Sequence, residues 1–413
     1  MPTPVISIYL DKRRKKKENK FPVKLRVYHD YSTRQYSTGI SLSEPEFEKS
    51  YLCIKPKETH NKNLKINLAG IEANANEIVR ELKIFTFKKF EKKLLRPKGS
   101  AININYHYSE IILELKKQER FSTASNYELS LKSLQSFEIA KGRSGKLIFQ
   151  DISVNFLNEY EKWMLNNFKS ITTVGIYLRP LKAIFNSAIL AGEISIEIYP
   201  FGKRKYQIPS GQSVKKALSK EDLKKMYEYP LLDLPLLAKA RDFWFFSYVC
   251  NGMNIRDIAN LQYEVFSAES FYFIRNKTKN TSKTNQKKIK VILSPFAKGV
   301  IKNYGNLKTN SHIYVFPILK PEINEKEKIR LVQAFTRFVN QHIKTLAKII
   351  GIDENISTYW ARHTFSTVAV NEGASLEFVQ ESLGHNSLNT TKTYFAGFND
   401  SIKIEISKKL LQF

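Results

Sequence analysis

Apolar and polar residues alternate with a period of two near the start of the chain, which is the pattern of half-buried strands. The alternation predicts three strands, at Val5–Leu10, 23–28 and 35–40. Within the second run, Lys24 and Arg26 alternate with valine and leucine. We therefore expect residues 1–55 to form a small β module whose sheet has one apolar face and one basic face.

Beyond this module the apolar residues recur every three or four positions, which is the repeat of an amphipathic helix. The first such stripe runs from 63 to 95, so residues 56–100 are interpreted as a connecting helix and a linker. Residues 101–199 predict a helical domain, with helices at 108–120, 124–137, 157–165 and 174–188 and Thr123 as an N-cap. Chain-breaking residues and positive charge at 200–213 predict a second linker.

The last domain, 214–413, is expected to be mostly helical and to begin with a helix capped by Ser219. Its helical pattern is interrupted by two β-like runs, at 270–275 and 288–293, which flank a turn rich in Lys, Thr and Asn. A hairpin with a mobile tip is the simplest interpretation of that interruption. The fold class predicted from the whole pattern is mainly α with small β elements.

Composition narrows the function. The 413 residues include 67 Lys+Arg and 39 Asp+Glu, a formal net charge of +28, which favours a nucleic-acid partner through counterion release. The two cysteines, Cys53 and Cys250, give neither a disulfide framework nor a cluster of metal ligands. We find no apolar run of membrane-spanning length and no signal peptide, so we expect no membrane association and a cytoplasmic location.

One stretch near the C-terminus carries phosphoryl-transfer chemistry. Arg362 is a permanent planar cation that suits a phosphate, His385 can donate from an imidazole nitrogen, and Tyr394 has a hydroxyl that can form a covalent ester. On one unbroken helix His385 and Tyr394 would point to opposite sides. Gly384 is therefore expected to end a helix, and Asn386 or Ser387 to cap the next, so that His385 lies in the turn and faces Tyr394.

These residues resemble the tyrosine recombinases of the phage integrase family, and most closely the integrases of Bacteroidetes mobile elements. The resemblance lies in Ala-Arg-His-Thr-Phe at 361–365, Leu-Gly-His at 383–385 and Tyr-Phe at 394–395. It implies that Arg362 is the second arginine of the family's active site, His385 the later histidine and Tyr394 the nucleophile. It also implies that Lys277, in a Lys-Thr pair at the hairpin, protonates the leaving 5′ oxygen, although Lys277 can also be read as one more backbone-binding cation.

The chain departs from the family pattern twice. Asn254 stands where the family's early arginine is expected, and Tyr359 stands where a histidine is usual. An asparagine offers a phosphate one neutral hydrogen bond instead of a charge-assisted pair. Arg256 is the nearest substitute, but two residues along a helix turn its side chain by about 200°. Arg241, farther upstream, is no better placed, so the cation that replaces the early arginine stays open between a displaced cation and Asn254 itself.

The same resemblance predicts the DNA contacts outside the catalytic domain. The β module resembles an arm-binding domain, and its candidate DNA-binding residues are Lys12, Arg13, Arg14, Lys15, Lys16, Lys17, Lys24 and Arg26. The helical domain resembles the SAM-like core-binding domain, where Lys132, Arg179 and Lys182 are candidate phosphate contacts. For each of these cations, a solvated surface position is the alternative interpretation.

The implied function is site-specific recombination, in which duplex DNA is cleaved and rejoined through a 3′-phosphotyrosyl intermediate. No cofactor and no metal are expected. The implied partners are double-stranded DNA attachment sites, a homotetramer on DNA and a DNA-bending accessory protein, and the tail at 402–413 is a candidate for docking on a neighbouring subunit. The alternatives are a type IB topoisomerase-like relaxase, which needs no tetramer, and a catalytically weakened DNA-binding regulator, which the residues at 254 and 359 would favour.

Overall fold

The structure is a computed structural model in which residues 3–82, 84–96, 99–211, 216–279 and 286–410 are described. The chain forms two compact units. The first consists of Met1–His107, Lys146–Asp151 and Ser187–Tyr199, and the second of Tyr108–Gly145, Ile152–Asn186 and Pro200–Phe413.

The first unit begins with a three-stranded antiparallel sheet, which confirms the predicted β module. Its strands are β1 (Val5–Leu10), β2 (Phe21–His29) and β3 (Ser32–Leu42), in the spatial order β1-β2-β3. On β2, Val23, Leu25 and Val27 are buried, while Arg26 on the opposite face is exposed. The period-two pattern thus predicted both the strands and the two unlike faces of the sheet.

Helices cover the apolar face of this sheet. A short helix, α1 (Glu44–Phe47), is followed by a π-helical turn, by α2 (Thr59–Glu81) and by α3 (Phe87–Leu94). The single helix expected over 63–95 is wrong, because the chain becomes extended at Leu82 and Thr86 caps α3 by accepting from the Lys89 N–H. This break lets Phe85 pack against His29 of the sheet, with ring centroids 4.7 Å apart.

The predicted helical domain is present. It consists of α4 (Ile104–Lys117), α5 (Phe121–Ala140), α6 (Val154–Asn166) and α7 (Ile171–Leu190). The expected cap at Thr123 is wrong, because α5 already begins at Phe121 and no side chain caps it. Inside the bundle the Tyr108 hydroxyl and the Ser130 hydroxyl are 2.6 Å apart, and Ser130 donates to the Tyr177 carbonyl, so these buried polar groups are satisfied.

The C-terminal domain is mostly helical. Its first helices are α8 (Lys220–Glu228), α9 (Pro235–Val249) and α10 (Ile255–Ala259), and Ser219 caps α8 as expected by accepting from the Asp222 N–H. The expected hairpin is formed by β4 (Ser270–Ile274) and β5 (Lys288–Ile292), which pair antiparallel. The helical turn α11 (Asn276–Lys279) follows β4, and the tip expected to be mobile lies outside the described residues.

In the described residues up to 410, six helices follow the hairpin. They are α12 (Pro295–Tyr304), α13 (Glu325–Ile350), α14 (Thr358–Asn371), α15 (Leu376–Leu383), α16 (Leu388–Lys392) and α17 (Asp400–Lys409). The tail predicted as a docking segment thus forms most of α17, and its apolar residues Ile404, Ile406 and Leu410, the last directly after the helix, are exposed. In the described residues, no helix combines the length and the apolar character needed to cross a membrane.

Helix α9 is buried on opposite sides and thereby fixes the helix that carries Arg362. Its Phe243 and Phe246 pack into a core with β4 and β5, while Trp244 and Phe245 pack into a second core with α13 and α14. The Trp244 indole N–H also donates to the Ser357 carbonyl, 3.0 Å away, at the start of α14. Apolar packing and this hydrogen bond together determine where α14 begins.

Candidate active site

Arg362 is presented by α14 and is only 2% exposed. Its Nη1 donates to the Gly252 carbonyl at 3.1 Å and its Nη2 to the Leu383 carbonyl at 2.6 Å. Gly252 is required there, because its φ is +60° and a Cβ would lie 2.6 Å from the Arg362 Cα. Arg362 Nε is also buried, and no described residue is its hydrogen-bond partner. The guanidinium is therefore fixed, with a donor still available.

His385 lies in the turn between α15 and α16 and is 3% exposed. Gly384 ends α15 with φ +65°, and Ser387 caps α16 by accepting from the Asn389 N–H, as the sequence predicted. His385 Nε2 lies 3.1 Å from Arg362 Nη2, and its Nδ1 lies 3.1 Å from Thr391 Oγ1. A guanidinium cannot accept, so we assign the proton to Nδ1, with Nε2 as the acceptor.

The charge of His385 follows from its surroundings. Burial, followed by the positive charges of Arg362, Arg275 and Lys277, lowers the pKa of His385 to about 3. The imidazole is therefore neutral at physiological pH and offers one donor and one acceptor.

Tyr394 follows α16 and faces both side chains, as predicted. It is 7% exposed, its ring centroid is 4.9 Å from that of His385, and the Arg362 guanidinium carbon is 5.4 Å from its ring centre. The His363 ring stacks on it at 4.7 Å, and His363 Nδ1 lies 3.3 Å from the Tyr394 carbonyl oxygen. The Tyr359 hydroxyl donates to the Tyr394 hydroxyl at 2.7 Å. Tyr359 thus contacts the Tyr394 hydroxyl directly.

The pKa values of Tyr394 and Tyr359 are shifted in opposite directions. Burial raises the pKa of Tyr394, but the hydrogen bond from Tyr359 and the charges of Arg362 and Arg275 outweigh it, so its pKa falls below the ordinary value. Burial and the hydrogen bond to Tyr394 raise the pKa of Tyr359. The pair therefore ionises at Tyr394, with Tyr359 as the neutral donor.

Lys277 is exposed in α11, directly after β4, and its charge acts on His385. The side chain of its neighbour Thr278 lies outside the described residues. A second lysine, Lys287, donates to the His385 carbonyl from 3.3 Å. The hairpin therefore brings two lysines toward the histidine turn, where the sequence predicted one.

In the described residues, no hydrogen bond or ion pair links the side chain of Asn254 or Arg256 to this cluster. Asn254 is the N-cap residue of α10, and its side chain makes no capping hydrogen bond. Arg256 is exposed and lines a different cavity, with a volume of about 1110 Å³, together with Glu119 and Gln333. Arg241 donates to the carbonyls of Tyr227 and Tyr229 instead. Among the hydrogen bonds of the described residues, none connects Asn254, Arg256 or Arg241 to the Tyr394 hydroxyl.

Arg275, which sequence reasoning missed, does act on Tyr394. It follows β4, is 7% exposed, and donates a hydrogen bond to the Tyr394 side chain. A signal was present in the sequence, because Phe271, Phe273 and Arg275 share one face of a period-two strand. A cation on the core face of a strand is costly unless it is paired or binds an anion.

The N-terminal cations are arranged differently. Arg13 and Lys24 both pair with the buried Asp11, at 2.9 and 2.6 Å, and hydrogen bonds from Arg13 and then Lys24 lower the pKa of Asp11. Lys12 pairs with Glu44. The remaining candidates behave as surface groups: Arg14 and Lys15 are exposed, Lys16 donates to Ser41 at 3.0 Å, Arg26 donates to Ser7 at 3.2 Å, and the Lys17 side chain lies outside the described residues.

In the helical domain, Lys132 on α5 and Arg179 and Lys182 on α7 are all exposed. Their role stays a prediction, because exposure fits both a phosphate contact and a solvated cation. Across the ranges that the structure describes, no three His, Cys, Asp or Glu side chains are grouped as a metal ion would require.

Three family models match the chain in succession. They are an Arm DNA-binding domain over residues 8–96, a Phage integrase SAM-like domain over 103–208 and the Phage integrase family over 216–399. The first match takes in the sheet together with α2 and α3, in agreement with their shared core of Leu25, Leu68 and Phe90.

The chain is also similar to individual tyrosine recombinases. The chain is 28% identical over 236 residues to tyrosine recombinase XerC of Thermodesulfovibrio yellowstonii, covering 55% of this chain and 71% of the relative. It is 24% identical over 302 residues to XerC of Bacillus pumilus, covering 70% of this chain and 91% of the relative. The Tn1549 transposon integrase, solved in complex with transposon right end DNA, is similar in fold, with a TM-score of 0.53 at 14% identity over 75% of this chain and 100% of that one.

The chain carries, in order, a match to an arm DNA-binding domain, a match to a SAM-like domain and a buried tyrosine hydroxyl beside arginines and a neutral histidine. This combination defines a DNA-cleaving enzyme of the tyrosine type. The chain belongs to the phage integrase family of tyrosine recombinases, and its activity is site-specific DNA recombination.

Proposed function

We propose that Tyr394 is the nucleophile of this recombinase and that it attacks a DNA phosphodiester to form a 3′-phosphotyrosyl link. The observation that carries the assignment is the 2.7 Å hydrogen bond from Tyr359 to the Tyr394 hydroxyl, beside two arginines that stabilise its phenolate. Ionisation releases the phenolic proton to solvent, and the phenolate oxygen then bonds to phosphorus as the bond to the 5′ oxygen breaks.

Arg362 and His385 stabilise the pentavalent phosphate in this proposal. Arg362 is held by two backbone carbonyls, so no reorganisation is needed when charge develops on the phosphate. His385 can release its acceptor contact with Arg362 and offer a nitrogen-bound proton to a phosphate oxygen in the other tautomer.

Lys277 is the proposed acid that protonates the departing 5′ oxygen, since it is exposed and its charge acts on His385. A 5′ hydroxyl from the partner strand then attacks the phosphotyrosine and restores Tyr394. The energy of the ester is retained throughout, so the exchange needs no nucleotide hydrolysis.

The partners of the chain are proposed on the same basis. Double-stranded attachment sites engage the arm and SAM-like domains, and a homotetramer with a DNA-bending accessory protein holds two sites. The exposed apolar residues of α17 favour a docking role for the tail. We further propose that the chain acts in the cytoplasm on a mobile element of the kind found in Bacteroidetes.

Covalent capture tests the assignment and identifies the target site in the same experiment. The full chain is incubated with nicked fragments of its host genome, denatured with detergent, and the protein-bound DNA is sequenced. We expect one recurrent sequence from the parental protein and none from Tyr394→Phe. The absence of any adduct from the parental protein would leave a DNA-binding regulator, and adducts that rejoin only their own ends, on a monomer, would indicate a relaxase.

A further inference from the structure

The active site lacks a cation at the position where the family places its early arginine. Asn254 occupies that position, and Arg256 is exposed beside a different cavity. A pentavalent phosphate carries charge on more than one oxygen, and a single arginine can bind only part of it. The chemistry therefore calls for a second buried cation near Tyr394.

The polypeptide holds Arg275 firmly in place. Ile274, the residue before it, pairs with Lys288 at the end of the hairpin ladder. Asn276, the residue after it, donates from its backbone N–H and from Nδ2 to Asp257 Oδ1, at 2.8 and 3.0 Å. Asp257 is itself buried on α10. Arg275 is thus fixed on both sides, by a strand and by a buried carboxylate.

The Arg275 side chain points to the reactive group. It is 7% exposed and donates a hydrogen bond to the Tyr394 side chain, whose polar atom is the proposed attacking oxygen. Its charge also acts on Arg362, His385 and Tyr359. The strand end therefore delivers a guanidinium to the same pocket that Arg362 enters from α14.

Two buried guanidiniums in one pocket are unfavourable unless an anion binds between them. Burial, followed by the neighbouring charge of Arg275, lowers the pKa of Arg362 to about 10. Both guanidiniums carry a positive charge, so they repel each other in the free protein. An anion between them would remove that repulsion, and a phosphate diester has the charge and the acceptors to do so.

We propose that Arg275 is the second catalytic arginine of this enzyme and that it takes the place of the missing early arginine by binding the scissile phosphate together with Arg362. This assignment rests on the proposed role of Tyr394. Arg275 keeps its proton throughout, donating first to the Tyr394 hydroxyl and then to a non-bridging phosphate oxygen. Asp257 is a positioning residue, because it acts on Arg275 through Asn276.

Single-turnover cleavage of the captured DNA at saturating protein measures the chemical step apart from binding. We expect Arg275→Ala to lower this rate about 10²–10³-fold, the scale for one preorganised donor. Arg275→Lys should recover part of the loss, because it returns the charge but not the planar donors. The matched control is Arg256→Ala, which removes an exposed arginine from the same domain and should cleave at the parental rate.

A substrate with a methylphosphonate at the scissile position separates a catalytic role from a structural one. Replacing one non-bridging oxygen by methyl removes the negative charge that a second cation would neutralise. We expect the ratio of methylphosphonate to phosphate cleavage to rise at least tenfold in Arg275→Ala, to rise less in Arg275→Lys, and to be unchanged in Arg256→Ala. A merely structural arginine would lower both rates equally and leave the ratio unaltered.

The possible outcomes are separable. Parental cleavage rates in both Arg275 variants, or an unaltered methylphosphonate ratio, would overturn the role of Arg275 while leaving Tyr394 as the nucleophile. Failure of the parental protein to form any adduct would instead overturn the proposed function. If Arg275→Ala does not fold, the ratio measured with Arg275→Lys decides the question, because an unchanged ratio in that variant counts against the proposal.

Discussion

The cations of the active site and those of the arm module differ in burial, and that difference separates their roles. Arg362 and Arg275 are buried and act on one tyrosine oxygen, whereas Arg14 and Lys15 are exposed on a loop. A buried charge is poorly screened, so its position decides its effect. Exposed charges are screened by water and salt, so the number of exposed cations affects DNA binding more than the position of each one. Substitutions can test this contrast, beginning with the largest effect.

Tyr394→Phe removes one buried hydroxyl and should abolish covalent attachment to the captured DNA, because the oxygen of that hydroxyl is the proposed attacking atom. DNA affinity should remain within a few-fold of the parental value. Gel analysis of detergent-stable adducts measures the first quantity and equilibrium binding the second. Tyr272→Phe, at an exposed position on β4, is the matched control and should form adducts normally. An adduct in Tyr394→Phe would show that another residue is the nucleophile.

Arg362→Lys tests whether burial makes an arginine irreplaceable. A lysine keeps the charge but cannot donate to the Gly252 and Leu383 carbonyls together, so cleavage at saturating protein should fall about 10²-fold or more. One unsatisfied buried carbonyl should also cost about 1–3 kcal/mol of the free energy of unfolding, which denaturant titration measures. Arg14→Lys, at an exposed position, should change neither the cleavage rate nor the free energy of unfolding. Equal effects at the two positions would show that burial does not separate the roles of these arginines.

Tyr359→Phe should change the pH dependence of cleavage. The hydrogen bond from Tyr359 favours the Tyr394 phenolate, so removing it raises the pKa of Tyr394. The rising limb of the pH–rate profile should then move to higher pH, with a loss at neutral pH that is recovered in alkaline buffer. Rates measured across the alkaline range with saturating protein check this. A uniform loss at every pH would show that Tyr359 only supports the packing of the site.

The exposed arm cations should give the smallest effect on chemistry. Arg14→Gln combined with Lys15→Gln should weaken binding to long DNA and reduce the salt slope by about 0.9 for each phosphate that is no longer neutralised, while cleavage at saturating protein stays unchanged. Lys12→Gln is the control, because Glu44 already pairs with that charge. Deleting residues 1–55 is a poorer test, because Leu25 shares a core with Leu68 and Phe90 and the deletion would therefore expose that core. An unaltered salt slope in the double variant would remove these two residues from the DNA contacts.

Local patterns in the sequence were sufficient for much of this structure. The alternation in β2, the cap at Ser219 and the turn at Gly384 each depend on neighbouring residues, and each is present as expected. The break before α3 was missed because it depends on Phe85 packing against the sheet, a contact distant in sequence.

The same distinction applies to the active site. Arg362, His385 and Tyr394 belong to a local motif and were found together. Arg275 was missed because the family pattern places the early arginine at the helix that begins after Asn254, whereas Arg275 directly follows a strand. Lys287 was not predicted either, because it belongs to no sequence motif. Its hydrogen bond to the His385 carbonyl depends on how the hairpin packs against α15.

Gly384 lies directly against Ile289 of β5, and a side chain at position 384 would collide with it. The histidine turn therefore packs tightly against the second strand of the hairpin, and the hydrogen bond from Lys287 to the His385 carbonyl also joins the two. Arg275 and Lys277 are on the other limb of the same hairpin. A displacement of this hairpin would therefore change the positions of Arg275, of the proposed acid Lys277 and of the histidine turn that packs on β5.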